Sequence, residues 1–383
     1  MKVCMITTRH LPGDPRIFEK EARSLARLGY QVEIVVPEGP VPEDSGGVRF
    51  RTFRKKGGPL RKFSTLFYAV RLAREANADC YHCHEIDASL WAGLWLKWRR
   101  PGTRLVFDCH EFWPAYFAAR LWRPLRPLVK LLFLGYDWFL LRQCDGIITA
   151  NMIEKNYYQI LDPLKKIYLL YNVPHPVEEA SVPEEAEHQD PEYDLCFEGF
   201  LKFDRGLKEM FELVRRLRAR HQKIRLLILG TFVDETARRW AEAFIAEHQL
   251  QEHIVFAGWQ PYHKLYQFHR RCRVGIFLYH YSPSNLLSGP PNKLFNFMRA
   301  GLPIVASRLP ETANIIEEVG CGILVDPEDL EEIESAVCRL LENRQLREEM
   351  GQRSYEAFLN RYNWNIEEQK LRALYEKLSG DLP

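Results

Sequence analysis

Residues 2–36, KVCMITTRHLPGDPRIFEKEARSLARLGYQVEIVV, have the pattern of one unit of a parallel sheet. The apolar run Lys2–Thr7 predicts a strand, and a loop that contains Pro12-Gly13 follows it. Asp14-Pro15 then opens a helix, because Asp is a good N-cap and Pro is tolerated at the first helical position, where its missing N–H has no partner. The helix leads to a second strand at Gln31–Val36. The stretch therefore predicts a β-loop-α-β unit.

The same order of elements recurs in the second half of the chain. Asp194–Phe200 predicts a strand, Leu201–Gly206 a loop, Leu207–His221 a helix and Ile224–Gly230 another strand. Further buried strands are expected at Cys80–His84, Arg104–Cys109, Gly146–Ala150, Lys166–Tyr171, Ile254–Gly258, Val274–Leu278, Pro303–Ser307 and Gly322–Val325. Continuous apolar strands that alternate with helices are typical of parallel sheets covered on both faces. The sequence therefore predicts an α/β fold.

A change of composition divides the chain near its middle. Residues 172–192 carry four prolines and a run of glutamates, a composition typical of a linker. They separate a predicted N-terminal domain, residues 1–171, with 27 Lys/Arg against 17 Asp/Glu, from a more acidic C-terminal domain, residues 193–362. We expect two doubly wound Rossmann-like domains that face one another across a cleft. Ligands of such sheets bind beyond the carboxyl ends of the strands.

The overall composition excludes several classes of protein. With 46% hydrophobic and 27% charged residues in 383, the chain is neither disordered, collagen-like nor a coiled coil. The apolar run Val3–Ile6 is too short for a secretory signal, and Leu128–Leu141 is interrupted by Lys130 and Asp137. Nine cysteines are scattered through apolar runs, as in reduced proteins. We expect a cytoplasmic protein.

The N-terminal half also contains stretches that mix basic and aromatic residues. They are Arg54-Lys55-Lys56, Arg61-Lys62-Phe63, Arg120–Arg126 and Lys130. One interpretation is peripheral attachment to an anionic membrane surface at its inner face, and the other is a solvated basic face. We expect no nucleic-acid partner, because no recognition module accompanies the charge.

Three common nucleotide signatures are missing. No Gly-Lys dipeptide is present, so there is no P-loop, and Gly320-Cys321-Gly322 lacks the third glycine of the dinucleotide fingerprint. No two aspartates are spaced as Asp-x-Asp, the pattern of many metal-dependent sugar-nucleotide enzymes. We therefore expect no cofactor and no metal.

The most informative stretch runs from Ser288 to Ser307. Here a loop with Gly289 opens a helix, and the amides at the start of a helix bind anions. Lys293 adds a full positive charge near that helix start. The pattern favours a phosphate site.

This stretch resembles the donor-binding region of the family-4 type glycosyltransferases, which adopt the GT-B fold. Other segments resemble the same family in the same order along the chain. They are Pro12–Ile17 with Glu21–Val32, His82–Glu85, Phe107–Glu111, Gly199–Leu201 with Arg205-Gly206, Gly322–Pro327 and Tyr362–Trp364. The resemblance implies metal-independent transfer of a sugar, with retention of configuration, from a nucleotide-sugar donor in the C-terminal domain. The acceptor, a glycan, a lipid-linked or a small molecule, is held by the N-terminal domain. A last helix at about 363–383 is implied to pack back on that domain.

The resemblance, with strand-end position and charge, also gives candidate site residues. His110, at a strand end beside Asp108, is expected to contact the donor sugar. Arg205 and Lys293 are expected to grip the diphosphate. The expected donor-binding residues are Gly13, Gly199, Gly230, Gly258, Ser288, Gly289, Asn292 and Asn296.

The departures from the family pattern suggest an alternative function. Two glutamates that the family usually carries eight positions apart are replaced by Ser288 and Asn296, and a usual arginine by Phe200. Arg205 replaces a lysine and keeps its charge. If Asn296 still faces the ribose, Asn296→Glu should tighten nucleotide binding. The alternative is a catalytically weak or inactive protein that binds a nucleotide sugar or acts as a partner subunit.

Overall fold

The computed structural model describes residues 1–55, 61–110, 126–176 and 191–380, apart from the side chains of Arg61, Lys62 and Arg126. The chain divides into two compact units. The first contains Met1–Asn172 together with Trp364–Pro383, and the second contains Val173–Asn363. Most of the predicted linker, residues 177–190, lies outside the described residues, as do Lys56, Glu111 and Arg120–Leu125.

The first unit is built on a parallel sheet of seven strands in the order β3-β2-β1-β4-β5-β6-β7. The strands are β1 Lys2–Ile6, β2 Gln31–Pro37, β3 Arg49–Phe53, β4 Cys80–Cys83, β5 Arg104–Cys109, β6 Gly146–Thr149 and β7 Ile167–Leu169. Its helices are α1 (Pro15–Ala22 continued by Arg23–Arg27), α2 Arg61–Ala76, α3 Ala88–Arg99, α4 Arg126–Gln143, α5 Met152–Leu161 and, at the end of the chain, α14 Trp364–Gly380. Buried residues of α2, α3, α4 and α5 share one apolar core with the strands. The chain order reverses between β1 and β4, which is where such sheets bind ligands.

Helix α1 has an unusual start. The Asp14 carboxylate accepts hydrogen bonds from the backbone N–H groups of Arg16 and Ile17, both at 2.9 Å, and this confirms the predicted N-cap. Residues Pro15–Ala22 are wound as a π-helix, a form that is often found at functional sites. This segment buries Arg16, Lys20 and Glu21.

The second unit is built on a parallel sheet of six strands in the order β10-β9-β8-β11-β12-β13. The strands are β8 Tyr193–Glu198, β9 Leu226–Leu229, β10 Ile254–Phe256, β11 Cys272–Phe277, β12 Ile304–Ser307 and β13 Gly322–Val325. Its helices are α6 Leu207–Leu217, α7 Glu235–Glu247, α8 Leu265–His269, α9 Pro283–Leu286, α10 Asn292–Arg299, α11 Pro310–Val319, α12 Leu330–Glu342 and α13 Arg344–Asn360. Here the chain order reverses between β8 and β11.

The two parallel sheets confirm the predicted fold class of two doubly wound domains. One strand, β3, was not predicted. It is the edge strand beside β2, and its exposed or half-buried Arg49 and Arg51 give it no apolar run. No helix in the described part of the chain combines the length and the apolar character needed to cross a bilayer.

Candidate functional site

Two predicted cations meet at the switch point of the second unit. Tyr279 follows β11, and the Lys293 Nζ atom and the Arg205 guanidinium lie 5.1 and 5.2 Å from the centroid of its ring. Lys293 stands in the first turn of α10, and Arg205 ends a short 3₁₀ turn, Phe203–Arg205, in the loop after β8. The fold thus gathers two positive charges from segments far apart in sequence.

Lys293 is buried without a hydrogen bond. Its Nζ atom lies 3.7 Å from the centroid of the Phe197 ring and has no hydrogen-bond partner among the described residues. Burial lowers the pKa of Lys293 to about 7, with Arg205 acting in the same direction and Glu198 opposing it. The start of α10 also has no side-chain cap on its amides. An amine and free amides together form a site suited to an anion.

A carboxylate at the end of β8 shares this site. The Nδ2 atom of Asn296 donates to both carboxylate oxygens of Glu198 at 3.0 Å, and the His269 Nε2 atom lies 3.2 Å from the same group. Burial alone would raise the pKa of Glu198, but His269, Lys293 and Asn296 lower it, so the group is ionised. Asn296 itself is fully buried. Glu198 is therefore the carboxylate that this site presents.

The predicted glycines of this region have clear steric reasons. A Cβ atom at Gly230 would lie 1.8 Å from the Gly199 carbonyl oxygen, so only glycine allows the loops after β8 and β9 to meet. Gly199 has a φ of +113°, a backbone conformation open mainly to glycine. Gly258, also at positive φ, lies in the loop after β10. The first two glycines shape the loops around Lys293, whose Nζ atom would lie 3.4 Å from a Cβ atom at Gly199.

The remaining candidates of the second unit lie just before α10 or at its first residue. The Ser288 hydroxyl donates to the Asn285 carbonyl at 2.9 Å and so closes the end of α9. Gly289 is half-buried in the following loop, and Asn292 is the exposed first residue of α10. Of the candidates around α10, it is Asn296 that hydrogen-bonds to Glu198.

An exposed aromatic pair stands at the carboxyl edge of the same sheet. The rings of Phe200 and Trp259 have centroids 5.3 Å apart with an interplanar angle of 33°. Phe200 is 43% and Trp259 64% exposed. Large aromatic side chains in this position offer a flat surface on which a planar ring can stack.

In the first unit, Asp108 at the end of β5 holds three side chains. The Arg16 guanidinium donates to both of its oxygens at 3.0–3.2 Å, and His110 Nε2 lies 2.8 Å from Oδ2. His84 Nδ1 is 3.4 Å from the same oxygen. Burial opposes ionisation, but Arg16 and His110 hold the pKa of Asp108 well below its usual value. Because ionised Asp108 can only accept, His110 donates its Nε2–H to that carboxylate.

Glu21 and two more histidines, His82 and His10, extend this cluster. The rings of His82 and His84 stack at 4.5 Å, and those of His10 and His84 lie 5.5 and 5.4 Å from His110. Burial lowers the pKa values of His82 and His84, so both are neutral. Burial and the nearby Asp108 raise the pKa of Glu21 well above its usual value, although Arg16 lies 3.0 Å away. Only His110 and His10 are partly exposed.

Gly13 lies in the first unit, in the loop after β1. A Cβ atom there would meet only Pro42 Cγ at 3.6 Å, so this space does not itself require glycine. In the same loop the Asp14 carboxylate lies 2.7 Å from His10 Nδ1. Burial would lower the pKa of His10, but Asp14 raises it above its ordinary value. The loop thus brings a histidine of raised pKa to the switch point of the first sheet.

Two groups among the described residues have ligand atoms close enough for a metal ion. One is Glu21, His82, His84 and Asp108, and the other is His221, Cys338 and Glu342. In the first group, Arg16 lies 3.0 Å from both carboxylates, and Tyr375 OH lies 2.9 Å from His82 Nδ1. A side chain of the protein therefore already supplies the positive charge there.

Two models of protein families match the chain. The model described as Glycosyltransferase Family 4 matches residues 16–173, and the model described as Glycosyl transferases group 1 matches residues 179–357. Together they cover strands β2–β7 of the first sheet and the whole of the second sheet. The chain belongs to the family-4 glycosyltransferases of GT-B fold, as the motifs predicted.

Individual relatives are distant. An uncharacterized glycosyltransferase of Methanocaldococcus jannaschii, MJ1607, is 21% identical over 95% of both chains. Sucrose-phosphate synthase from Thermosynechococcus elongatus has a similar structure, with a TM-score of 0.72 at 17% identity over 99% of both chains. The structure of Anabaena Alr3699/HepE, solved with UDP-glucose, has a TM-score of 0.70 at 13% identity and covers 99% of this chain and 100% of that one. These structures share the fold with this chain.

Several residues of both sites were missed by the sequence analysis. Glu198 and His269 lie in no segment that resembles the family, whereas Arg16 and Glu21 lie in such segments but were not named as candidates. Glu198 lies directly before Gly199, and that position at a strand end is the one signal that pointed to it. The partners of these residues lie far away in sequence, as the 98 positions between Glu198 and Asn296 illustrate.

Proposed function

We propose that the protein transfers a hexose from a nucleotide sugar to an acceptor, with retention of configuration and without a metal ion. The observation that carries the proposal is the buried Lys293 amine, which faces Arg205 across Tyr279 and has no hydrogen-bond partner among the described residues. A buried cation without a partner is costly, and a diphosphate would supply the missing partner. UDP-sugars are the first donors to test, because the similar Anabaena protein was solved with UDP and with UDP-glucose.

The residues of the second unit fit the parts of such a donor. Lys293, Arg205 and the free amides of α10 would hold the diphosphate and stabilise the charge that develops as it leaves. Glu198 accepts hydrogen bonds only, so it would receive hydroxyl groups of the ribose or the sugar. The exposed rings of Phe200 and Trp259 would stack on the base. The two cations would do the work that a metal ion does in other enzymes.

The first unit would contribute His110. Its Nε2–H is fixed by Asp108 at 2.8 Å, so its other ring nitrogen, Nδ1, would be left to form a hydrogen bond with a sugar hydroxyl. Arg16 holds Asp108 in place through both of its carboxylate oxygens. Positioning of this kind, rather than covalent chemistry by the protein, would provide most of the rate enhancement. The acceptor would be a glycan, a lipid-linked or a small molecule in the cytoplasm.

A thermal-shift panel of UDP-, GDP-, ADP- and CMP-sugars tests the donor. A ligand present at 100 times its dissociation constant stabilises the folded state by about 2.7 kcal/mol, which is readily measured. The nucleotide that binds is then used in a transfer assay with and without EDTA, and the anomeric configuration of the product is read by NMR. Loss of activity in EDTA, or an inverted product, would overturn the corresponding part of the proposal.

The binding-only alternative rests on two contacts. Asn296 donates to Glu198 and Ser288 to Asn285, so both residues that replace the usual glutamates are engaged inside the protein. If the nucleotide sugar binds but is neither transferred nor hydrolysed with any acceptor class, the protein is a nucleotide-sugar-binding or partner subunit. No response to any of the four donors would contradict both functions.

A further inference from the structure

Helix α4 of the first unit exposes a stripe of large apolar side chains. Leu131 and Leu132 are 65% and 63% exposed. Other exposed members follow at helical spacing on the same side. The stripe consists of Leu128, Leu131, Leu132, Trp138 and Phe139. We call these five residues the α4 stripe.

The α4 stripe has no part in the core of the unit. The opposite side of the same helix supplies Asp137, Leu140 and Leu141, which are buried. A surface helix normally has one apolar face toward the core and one polar face toward water. Helix α4 is apolar on both faces. An exposed apolar patch of this size marks a surface that contacts another protein or a membrane.

The helix that carries the stripe and its neighbour α3 are basic. Helices α3 and α4 carry the basic residues Lys97, Arg99, Arg126, Lys130 and Arg142. Asp137 is the single acid on these two helices, and it is buried. Lys97 is paired with Asp145 at 2.6 Å, whereas Arg142 is exposed beside the stripe and Lys130 is exposed near the start of α4. The charge requires a partner with negative groups around an apolar interior.

Aromatic residues continue the stripe toward α3. The Arg142 guanidinium lies 4.3 Å from the centroid of the Trp138 ring. Trp98, which is 54% exposed on α3, donates Nε1–H to the Gln143 side chain at 3.3 Å. Tryptophan and arginine side by side are typical of the boundary between lipid headgroups and acyl chains.

We propose that the α4 stripe docks the protein on an anionic lipid surface, with the leucines in the acyl boundary and Lys130 and Arg142 among the headgroups. A second copy of the chain fits less well. A two-fold interface is self-complementary, so it would bring the basic rims of two stripes together. Anionic lipid instead matches both the apolar stripe and its charge. The inference does not depend on sugar transfer.

Co-sedimentation of the full chain with vesicles tests the inference. One set of vesicles contains phosphatidylcholine with one third phosphatidylglycerol, and the other contains phosphatidylcholine alone. We expect binding to the first set, with about tenfold weaker partitioning of Leu131→Ser/Leu132→Ser. Lys130→Ser/Arg142→Ser should bind weakly and lose its sensitivity to salt. The matched control is Tyr355→Ser/Leu359→Ser, two exposed residues of α13 in the second unit, and it should bind as the wild type does.

Each other outcome overturns the inference. Equal binding to both vesicle sets would remove the role of charge, and absence of binding to either set would remove the membrane. If light scattering shows a dimer that Leu131→Ser/Leu132→Ser converts to a monomer, the stripe is an interface between copies. Melting temperatures of all variants establish that they are folded. Because transfer to a soluble acceptor is assayed separately, failure here leaves the proposed activity standing.

Discussion

The side-chain amide of Asn296 donates to both carboxylate oxygens of Glu198 at 3.0 Å. At the helix position where the resemblance to the family implies a carboxylate, this chain has an amide, and Glu198 at the end of β8 presents a carboxylate to it. The site therefore carries a negative charge on Glu198. This relationship reverses the effect that we expected from the sequence for Asn296→Glu.

Asn296→Glu should destabilise the protein and weaken nucleotide binding. It would set a second buried carboxylate about 3 Å from Glu198, and like charges at that distance cannot both ionise. A loss on the order of 1–3 kcal/mol in the free energy of unfolding is expected. Urea unfolding and calorimetric titration measure the two effects.

The exchange Glu198→Gln/Asn296→Glu is the companion variant. It restores one amide facing one carboxylate, so stability and binding should recover in large part. If the double variant is as weak as the sum of the two single ones, the pairing of these residues is unimportant. Asn292→Glu, at the exposed start of α10, is the control for stability.

Nucleotide-sugar binding should weaken as the pH rises above 7. Burial lowers the pKa of Lys293 to about 7, and a bound diphosphate raises it again by stabilising the charged amine. Below pH 7 the amine is already charged and affinity is flat. Above pH 7 binding must take up a proton, so affinity falls by up to about tenfold per pH unit. Calorimetry in buffers of different ionisation enthalpy counts the proton.

Lys293→Arg serves as the control for this pH dependence. Its guanidinium stays charged, so the slope between pH 7 and 9 should vanish even if affinity changes. A slope that persists in this variant would assign the proton to another group.

Trp259→Ala should weaken nucleotide binding by about tenfold, the usual worth of stacking a base on an aromatic ring. In the wild type, the exposed Trp259 should lose fluorescence when the nucleotide binds. Trp98→Ala, in the first unit, is the control and should keep both the affinity and the quenching. Quenching that survives in Trp259→Ala would exclude the aromatic pair from the base site.

Asp137→Asn should stabilise the protein at pH 7.5 but not at pH 4. Burial raises the pKa of Asp137 to about 6, so its ionised form is disfavoured in the folded state. The wild-type protein therefore loses stability as the pH rises from about 4 to 6, and asparagine avoids that loss. The Tyr157 hydroxyl, which donates to Asp137 Oδ2 at 2.6 Å, can donate to the asparagine oxygen instead. The gain is on the order of 1–3 kcal/mol. Thermal unfolding at the two pH values measures it, and equal gains at both would contradict the assignment.

Arg16→Met should destabilise the first unit by roughly 3–5 kcal/mol, because it leaves buried Asp108 without its cation. Arg23→Met, on the same helix, removes ion pairs with Asp44 and Glu19 that are at least partly exposed and should cost less than about 1 kcal/mol. Urea unfolding compares the two variants. Similar losses would show that Asp108 does not depend on Arg16.

Features that depend on neighbouring residues could be predicted from the sequence, and features that depend on residues far apart in sequence could not. The start of α1 was predicted because Asp14 and Pro15 act on the turn beside them, and the central strands because their apolar runs are continuous. Strand β3 was not predicted, because Arg49 and Arg51 alternate along this edge strand and interrupt its apolar run. The parts of both sites that were missed depend on pairs such as Arg16 and Asp108, 92 positions apart, which only the folded chain brings together.

The position of α14 has a consequence for synthesis. Trp364 donates its Nε1–H to Ser24 at 2.9 Å, and the Tyr375 hydroxyl lies 2.9 Å from His82 Nδ1. Helix α14 is made after the whole second unit, and it closes the core around α1 and β4, which are made before that unit. The second unit is one uninterrupted stretch of chain and can finish folding while the first still lacks this helix. A ribosome that stalls, or a protease that cuts, after Asn363 would release a protein with an intact second unit and an open histidine cluster.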